Sequence, residues 1–113
     1  MRVGGPPSAH YSGAVPNDFR AAPAGRILVA DGAMGTMLQA ADLSVEADFQ
    51  GLEGCNEILN VTRPDVVRAV HEAYLAAGSD CIETNTFGAN RGNLGDYHIQ
   101  HRIHELSEAA ARK

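Results

Sequence analysis

The sequence predicts a parallel α/β fold in which short strands alternate with helices. Three observations predict it: the continuous apolar run at residues 27–30, the β-prone segment 79–84, and a helix with one apolar face between them. A short, continuously apolar run is typical of a strand buried on both faces of a parallel sheet. A helix between two such strands is the usual crossover connection.

The segment before the first strand differs from the rest in composition. Residues 1–25 contain four of the five prolines, together with scattered glycine, alanine and serine, and this composition opposes regular packing. We therefore predict a flexible leader over residues 1–25 and one partial domain over residues 26–113.

The first strand is expected to end at Asp31 and Gly32. Residues 34–41 favour a short helix, whereas residues 42–57 are predicted to form a loop because Gly51 and Gly54 interrupt any helical or strand period.

The central helix has the clearest local signals. Thr62-Arg63-Pro64-Asp65 resembles a capping box, with proline in the first turn and Asp65 near the positive end of the helix dipole. Gly78 supplies a left-handed stop after Ala77. One apolar stripe, which predicts a sheet as its packing partner, is formed by residues at three- and four-residue spacing: Val66, Val67, Val70, Ala73, Tyr74 and Ala77.

After the second strand, the sequence predicts a loop over residues 85–95 and a last helix over residues 96–111. A complete (β/α)8 TIM barrel takes about 250 residues. The fold class predicted for the 113 residues is therefore the N-terminal portion of such a barrel, truncated after about two βα units.

Composition and charge exclude several classes of function. The formal net charge is −5, and the absence of a basic cluster argues against nucleic acid as a partner. No apolar stretch approaches the roughly 20 residues of a membrane span, and residues 1–26 lack the apolar core of a secretory signal. A cytoplasmic location is predicted.

The two cysteines, Cys55 and Cys81, form no Cys-x-x-Cys pair. We predict that both are reduced, partly buried small hydrophobes rather than metal ligands. His98, His101 and His104 lie three residues apart, but a helix would spread them around its axis, so they are predicted to be solvated rather than to bind one metal ion.

Candidate binding residues follow the two strands. Asp31 and Glu83 stand at the carboxyl ends of the two predicted strands, where α/β folds bind ligands, and strand parity predicts that both side chains point into the barrel mouth. Two carboxylates there suit an α-ammonium group, and Gly32 and Gly35 let backbone N–H groups approach a carboxylate closely. The sequence therefore predicts a small-molecule site.

Each candidate also has a purely structural interpretation. Asp31 is able to cap the following helix, and Glu83 to accept turn amides or pair with an arginine. Asn85 and Thr86 are able to shape the loop through bonds to the backbone. Asn56, Asn60 and Arg63 are expected to fix the long loop and the helix start rather than to bind ligand.

Three strings carry a family resemblance: DGAMGTMLQ at residues 31–39, GCNEILNVTRPD at residues 54–65, and AGSDCIETNTFGA at residues 77–89. Over residues 26–113 the chain resembles the amino-terminal homocysteine-binding module of cobalamin-dependent methionine synthases, within the homocysteine S-methyltransferase family. The barrel fold of that family agrees with the element order predicted above.

The resemblance implies methyl transfer from methylcobalamin, recharged by methyltetrahydrofolate, to the zinc-activated thiol of homocysteine. It also implies that the position of Asp31 contacts the substrate amino group, so this segment is expected to bind the amino-acid end of homocysteine through Asp31, Gly32, Glu83, Asn85 and Thr86. The family's zinc ligands lie on later strands, and its folate and cobalamin domains lie later still. We therefore expect no catalytic or metal-ligating residue in this chain, the rest of the barrel and these domains as its partners, and no activity of the chain alone.

Two other functions remain open at this point. One is a cobalamin-independent homocysteine S-methyltransferase that uses a sulfonium or betaine donor. The other is a non-catalytic truncated product.

Overall fold

The computed structural model of the chain describes residues 2–3, 20 and 25–112. The described helices and strands follow in the order β1 (Arg2–Val3), α1 (Gly35–Gln39), a 3-10 helix (Asn56–Ile58), α2 (Leu59–Thr62), α3 (Pro64–Ala76), β2 (Cys81–Ile82), α4 (Arg91–Asp96), a 3-10 helix (Gln100–Arg102) and α5 (Ile103–Ala111). This content is that of a mixed α/β chain, as the sequence predicts.

The chain divides into two compact units. The first, here the strand unit, comprises Met1–Gly32 and His71–Glu83, and the second, here the helical unit, comprises Ala33–Val70 and Thr84–Lys113.

The strand unit contains both kinds of strand pairing. Ala30 forms a parallel bridge with Cys81, and the Asp31 N–H donates to the Cys81 carbonyl oxygen at 3.0 Å. On β2, Ile82 pairs antiparallel with Arg2, and Cys81 with Val3. The predicted parallel neighbourhood of the two sequence segments is thus confirmed, in the form of a single bridge.

The predicted first strand is shorter and more exposed than the sequence suggests. Only Ala30 of residues 27–30 has a strand bridge, and the side chains of Ile27 and Val29 are 88% and 56% exposed. The prediction of a strand buried on both faces is therefore wrong for this structure. Apolar character gives the tendency to be buried, but burial also needs covering side chains, and the described residues do not cover these two.

The amino-terminal strand β1 was not predicted, because two residues beside a glycine pair carry no strand signal. Apart from β1, Arg20 and Gly25, the predicted leader 1–25 lies outside the described residues.

Helix α3 confirms the clearest sequence prediction. It runs Pro64–Ala76, and Gly78 has φ of +112°. The Ser79 N–H donates to the Tyr74 carbonyl oxygen at 3.0 Å, and the Gly78 N–H donates to that of Leu75 at 3.1 Å. This pair of bonds is the Schellman ending that a glycine in the left-handed region permits. Of the predicted stripe, Val67 and Val70 are buried, whereas Ala73 and Ala77 are exposed.

The segment after β2 departs from prediction in two places. Within the predicted loop, α4 forms because Asn90 caps it, its side-chain oxygen accepting the Asn93 N–H at 2.9 Å. The predicted helix 96–111 is interrupted, because His98 takes φ of +59° and the Ile99 N–H donates to the Leu94 carbonyl oxygen at 2.9 Å. A left-handed residue ends one helix here, although it is not a glycine.

The core of the helical unit is a cluster of fully buried side chains from the loop before the first 3-10 helix, from that helix, from α4 and from α5: Cys55, Ile58, Leu94 and Leu106. Burial of the Leu and Ile side chains contributes about 2 kcal/mol each.

The 3-10 helix Asn56–Ile58 and α2 were not predicted, because Gly51 and Gly54 obscure the helical period just before them. No helix formed by the described residues has the length and apolar character needed to cross a membrane.

Candidate substrate site at the strand ends

Asp31 lies where the first strand segment ends, and its carboxylate faces the second strand. The Glu83 N–H donates to both Asp31 oxygens, at 3.2 Å each. The Asp31 carboxylate and the Glu83 backbone therefore meet where the two strand segments end, whereas the prediction that both side chains point inward stays a prediction. Helix α1 follows Met34 without a side-chain cap, so the helix-capping interpretation of Asp31 has no support in the geometry.

The Asp31 carboxylate keeps capacity for further hydrogen bonds. An ionised carboxylate has about four acceptor sites, and one N–H shared between two oxygens at 3.2 Å is a long contact. The group is partly exposed. A ligand N–H group is thus able to approach it without breaking the internal bond.

The charge around these strand ends is negative. Burial raises the pKa of the Cys81 thiol, and the negative charges of Asp31, Asp80 and Glu83 raise it further. Glu83 itself is exposed. A cation placed beside Asp31 and Glu83 would therefore be stabilised by both charges.

Asp80 is the one acid of this group with an arginine partner in the part of the chain that the structure describes. Both of its oxygens accept from the Arg26 guanidinium, with Oδ2 at 2.8 Å from Nη1, and Oδ2 also accepts the Val29 N–H at 2.9 Å. The Arg26 hydrogen bonds hold the pKa of Asp80 below its usual value. Asp80 therefore ties the first strand segment to the second.

Gly32 is exposed at the end of the first strand segment. A Cβ atom there would lie 3.3 Å from the Tyr74 hydroxyl oxygen, so the absence of a side chain lets this hydroxyl approach the turn. Sequence reasoning assigned Tyr74 only to the apolar stripe of α3. The aromatic ring of Tyr74 favours a place in the apolar stripe. The hydroxyl group was the one feature in the sequence that indicated a polar contact.

Asn85 and Thr86 lie in the helical unit, where both side chains have internal partners. Asn85 is 6% exposed, and its Nδ2 donates to the Asn56 carbonyl oxygen at 2.9 Å and to Asn60 Oδ1 at 3.2 Å. The Thr86 hydroxyl lies 2.8 Å from that of Thr84. These contacts support the loop-shaping interpretation, and ligand contact by either residue remains a prediction.

The residues expected to fix the loop do so. Asn60 Nδ2 donates to the Asn85 carbonyl oxygen at 2.8 Å. Arg63 pairs with Asp48 at 3.2 Å and with Asp65 at 3.0 Å, and its hydrogen bonds lower the pKa of Asp65. The long loop is thereby anchored to the start of α3.

The cysteines and histidines do not form a metal site among the described residues. No group of three or more His, Cys, Asp or Glu side chains there is arranged to hold a metal ion. Both cysteines are buried, and burial is the main cause that raises the pKa of each thiol. A raised pKa disfavours the thiolate that metals bind. His98, His101 and His104 are exposed, as predicted.

Comparison with known proteins identifies the family. The family model for homocysteine S-methyltransferase matches residues 28–113. Over 83 residues the chain is 64% identical to the methionine synthase of Mycobacterium tuberculosis (strain ATCC 25618 / H37Rv), covering 74% of this chain and 7% of that protein. It is 60% identical, over the same number of residues and with the same coverage, to the methionine synthase of Mycobacterium leprae (strain TN). The chain thus spans a small part of the length of these relatives, and it belongs to the homocysteine S-methyltransferase family.

Proposed function

We propose that this chain is the homocysteine-binding segment of a methionine synthase, the longer protein transferring a methyl group from methylcobalamin to the homocysteine thiol. The similarity to two methionine synthases supports the class of enzyme. The single observation that carries the role of this segment is the Asp31 carboxylate at the strand end, beside Glu83.

In this proposal Asp31 accepts hydrogen bonds from the α-ammonium group of homocysteine. A charge-assisted bond of this kind is worth about 1.5–3 kcal/mol, more than a neutral bond. The exposed carboxylate of Glu83 adds a second negative charge, and Asp80 is already paired with Arg26. The contribution of Asp31 to the free energy of homocysteine binding should therefore exceed that of Glu83.

The substrate carboxylate is assigned to the turn at Gly32. Backbone N–H groups at a side-chain-free turn are able to approach an anion closely, and the Tyr74 hydroxyl lies beside this turn. Asn85 and Thr86 complete the proposed set, Asn85 by holding the loop after β2 in place.

The fold proposed for the longer protein is the (β/α)8 barrel, of which this chain supplies about two βα units. The parallel bridge between Ala30 and Cys81 is the pairing that such a barrel requires of its first two strands. A cytoplasmic location is part of the same proposal.

Zinc, cobalamin and methyltetrahydrofolate are assigned to other parts of the longer protein. The described residues do not fit a zinc site, since they include no suitable ligand group and both thiols have raised pKa values. When bound elsewhere, zinc would supply the deprotonated thiol. The residues of this chain would orient the amino acid, and the chain assayed alone with zinc, homocysteine and methylcobalamin should show no turnover.

A chimera tests the enzyme class. Residues 28–113 should replace the matching segment of the Mycobacterium tuberculosis methionine synthase with retention of methylcobalamin-dependent methionine formation. Asp31→Asn in the chimera should then lower kcat/KM about tenfold or more, the loss expected for one charge-assisted hydrogen bond. Asp42→Asn, which removes an exposed carboxylate of the helical unit, is the matched control.

The methyl donor decides between this proposal and its runner-up. A chimera that folds but forms methionine only with a sulfonium or betaine donor would favour a cobalamin-independent homocysteine S-methyltransferase. A folded chimera inactive with every donor would favour the non-catalytic alternative.

A further inference from the structure

Strand β2 has a partner on each of its two edges. On one edge the Cys81 N–H donates to the Val29 carbonyl oxygen at 3.3 Å, and the Cys81 carbonyl oxygen accepts the Asp31 N–H at 3.0 Å. On the other edge β1 pairs antiparallel with β2, with Arg2 opposite Ile82. All of these residues belong to the strand unit. The amino-terminal strand therefore takes the edge that the first strand segment leaves open.

The backbone of Cys81 fixes the register of β1. Successive residues of a strand direct their N–H and carbonyl groups to opposite edges. Since both groups of Cys81 are bonded to the first strand segment, those of Ile82 face β1. Val3, which stands opposite Cys81, is then in a non-hydrogen-bonded pair, where the two Cα atoms lie about 4.5 Å apart.

The direction of β1 is incompatible with a barrel strand at this position. Every strand of a (β/α)8 barrel runs parallel to both of its neighbours. The bridge between Ala30 and Cys81 is parallel and meets this requirement on one edge of β2, whereas β1 runs antiparallel on the other. Strand β1 therefore occupies the place of a third barrel strand without being able to act as one.

The pairing of β1 is also short. It contains two residues, whereas an average strand has about five to six. A very short edge strand is one means by which proteins keep an open sheet edge from pairing with another chain. A longer parallel strand with its own crossover helix makes more ladder bonds and buries more surface, so it should replace β1.

We propose that Arg2–Val3 is a removable cover of the open β2 edge, and that a third, parallel strand of the longer protein displaces it. The proposal rests on the barrel that forms part of the proposed function. The occupant is a segment outside this chain, which aligns with 7% of its Mycobacterium tuberculosis relative. While that segment is absent, the cover blocks the edge against a second copy of the chain.

A disulfide reports whether β1 lies on this edge. Cys81 is a free thiol, and a cysteine at position 3 would stand opposite it at a Cα separation of about 4.5 Å, within the range of about 4.4–6.8 Å that disulfides span. Val3→Cys in the 113-residue chain should therefore form a disulfide with Cys81 in oxidised glutathione, identified by peptide mapping.

Arg2→Cys is the matched control, because position 2 stands opposite Ile82 rather than Cys81. Successive positions of a strand point to opposite faces, so Arg2→Cys should form the disulfide about tenfold more slowly or less.

The longer protein supplies the contrasting case. In a chimera, residues 1–113 are followed by the part of the Mycobacterium tuberculosis methionine synthase that comes after its matching segment. Val3→Cys in the chimera should form the disulfide about tenfold more slowly than in the chain alone, because β1 would pair with β2 for only a minor fraction of the time. The introduced thiol should instead react freely with N-ethylmaleimide.

Two results would overturn the proposal. Equal rates for Val3→Cys and Arg2→Cys in the chain would mean that β1 does not cover this edge. Equal rates for Val3→Cys in the chain and in the folded chimera would mean that β1 stays there. A folded chimera that keeps the introduced thiol reduced but forms no methionine would support the cover and contradict the proposed function.

Discussion

The strand unit and the helical unit position their polar side chains by different means. In the strand unit, carboxylates accept from backbone N–H groups and from one arginine across the two strand segments. In the helical unit, the amides of Asn60 and Asn85 are buried and bonded to each other and to carbonyl oxygens. Charged groups with spare acceptors keep capacity for further hydrogen bonds, whereas buried amides with internal partners fix a loop within their own unit.

The largest loss of stability that this comparison predicts is in the strand unit. Asp80→Ala removes three acceptor contacts and leaves the part-buried Arg26 guanidinium without its carboxylate. It should lower the free energy of unfolding by about 3 kcal/mol, measured by urea denaturation. Asp42→Ala, at an exposed position, is the control. An equally small change in the free energy of unfolding of both variants would contradict the conclusion that Asp80 holds the two strand segments together.

The amide network of the helical unit should give the next effect. Asn85→Ala leaves the Asn56 carbonyl oxygen and Asn60 Oδ1 without this donor. The expected loss is about 2 kcal/mol of unfolding free energy, again by urea denaturation. Loss of homocysteine binding with unchanged stability would instead make Asn85 a ligand contact and would break the proposed contrast between the units.

A smaller effect is expected at Gly88. Gly88→Ala forces a methyl group toward Glu57 Oε1, 2.6 Å from the Cβ position, and should cost about 1–2 kcal/mol. Gly95→Ala is the matched variant, because a Cβ there meets nothing within 4 Å and alanine is the better helix former. Thermal unfolding of the two variants should therefore move in opposite directions, and a stabilised Gly88→Ala would contradict the described contact with Glu57.

The smallest effect expected is a pH dependence confined to the strand unit. Arg26 lowers the folded-state pKa of Asp80 below 3.8, so its stabilising contribution is present above pH 3.8 and is lost as the pH falls through the lower folded value. The Asn60 and Asn85 amides do not titrate. Between pH 5 and pH 3, the Val29 N–H should lose protection from hydrogen exchange while the Asn93 N–H remains protected. Loss of protection at Asn93 but not at Val29 would contradict a pH dependence that comes from Asp80.

Sequence reasoning succeeded where one local signal decides the outcome. Pro64 and Gly78 delimit α3, and the predicted order of strand, helix and strand places the Glu83 backbone beside Asp31. It failed where a side-chain cap or an unusual backbone conformation decides where a helix begins or ends. Asn90 starts a helix in a glycine-rich stretch, and His98 ends it at positive φ without being a glycine.

For the candidate site, the sequence predicts which types of residue follow the strands, but it does not predict their hydrogen-bond partners. That Asn85 is polar and follows a strand is visible in the sequence, whereas its bonds to Asn56 and Asn60 depend on a packing between distant segments. The same holds for Glu57, whose bond to the Gly88 N–H joins residues 31 positions apart.

The central claim is that the Asp31 carboxylate receives the ammonium group of homocysteine. It is tested most directly by titrating the ¹⁵N-labelled chain with L-homocysteine and following the amides of Gly32 and Glu83. The parent chain should show saturable shifts at both amides, N-acetylhomocysteine should show none, and Asp31→Asn should weaken binding about tenfold or more while Asp42→Asn leaves it unchanged. Saturable binding of homocysteine that is equally strong in Asp31→Asn, or no binding to the folded parent chain, would contradict the account.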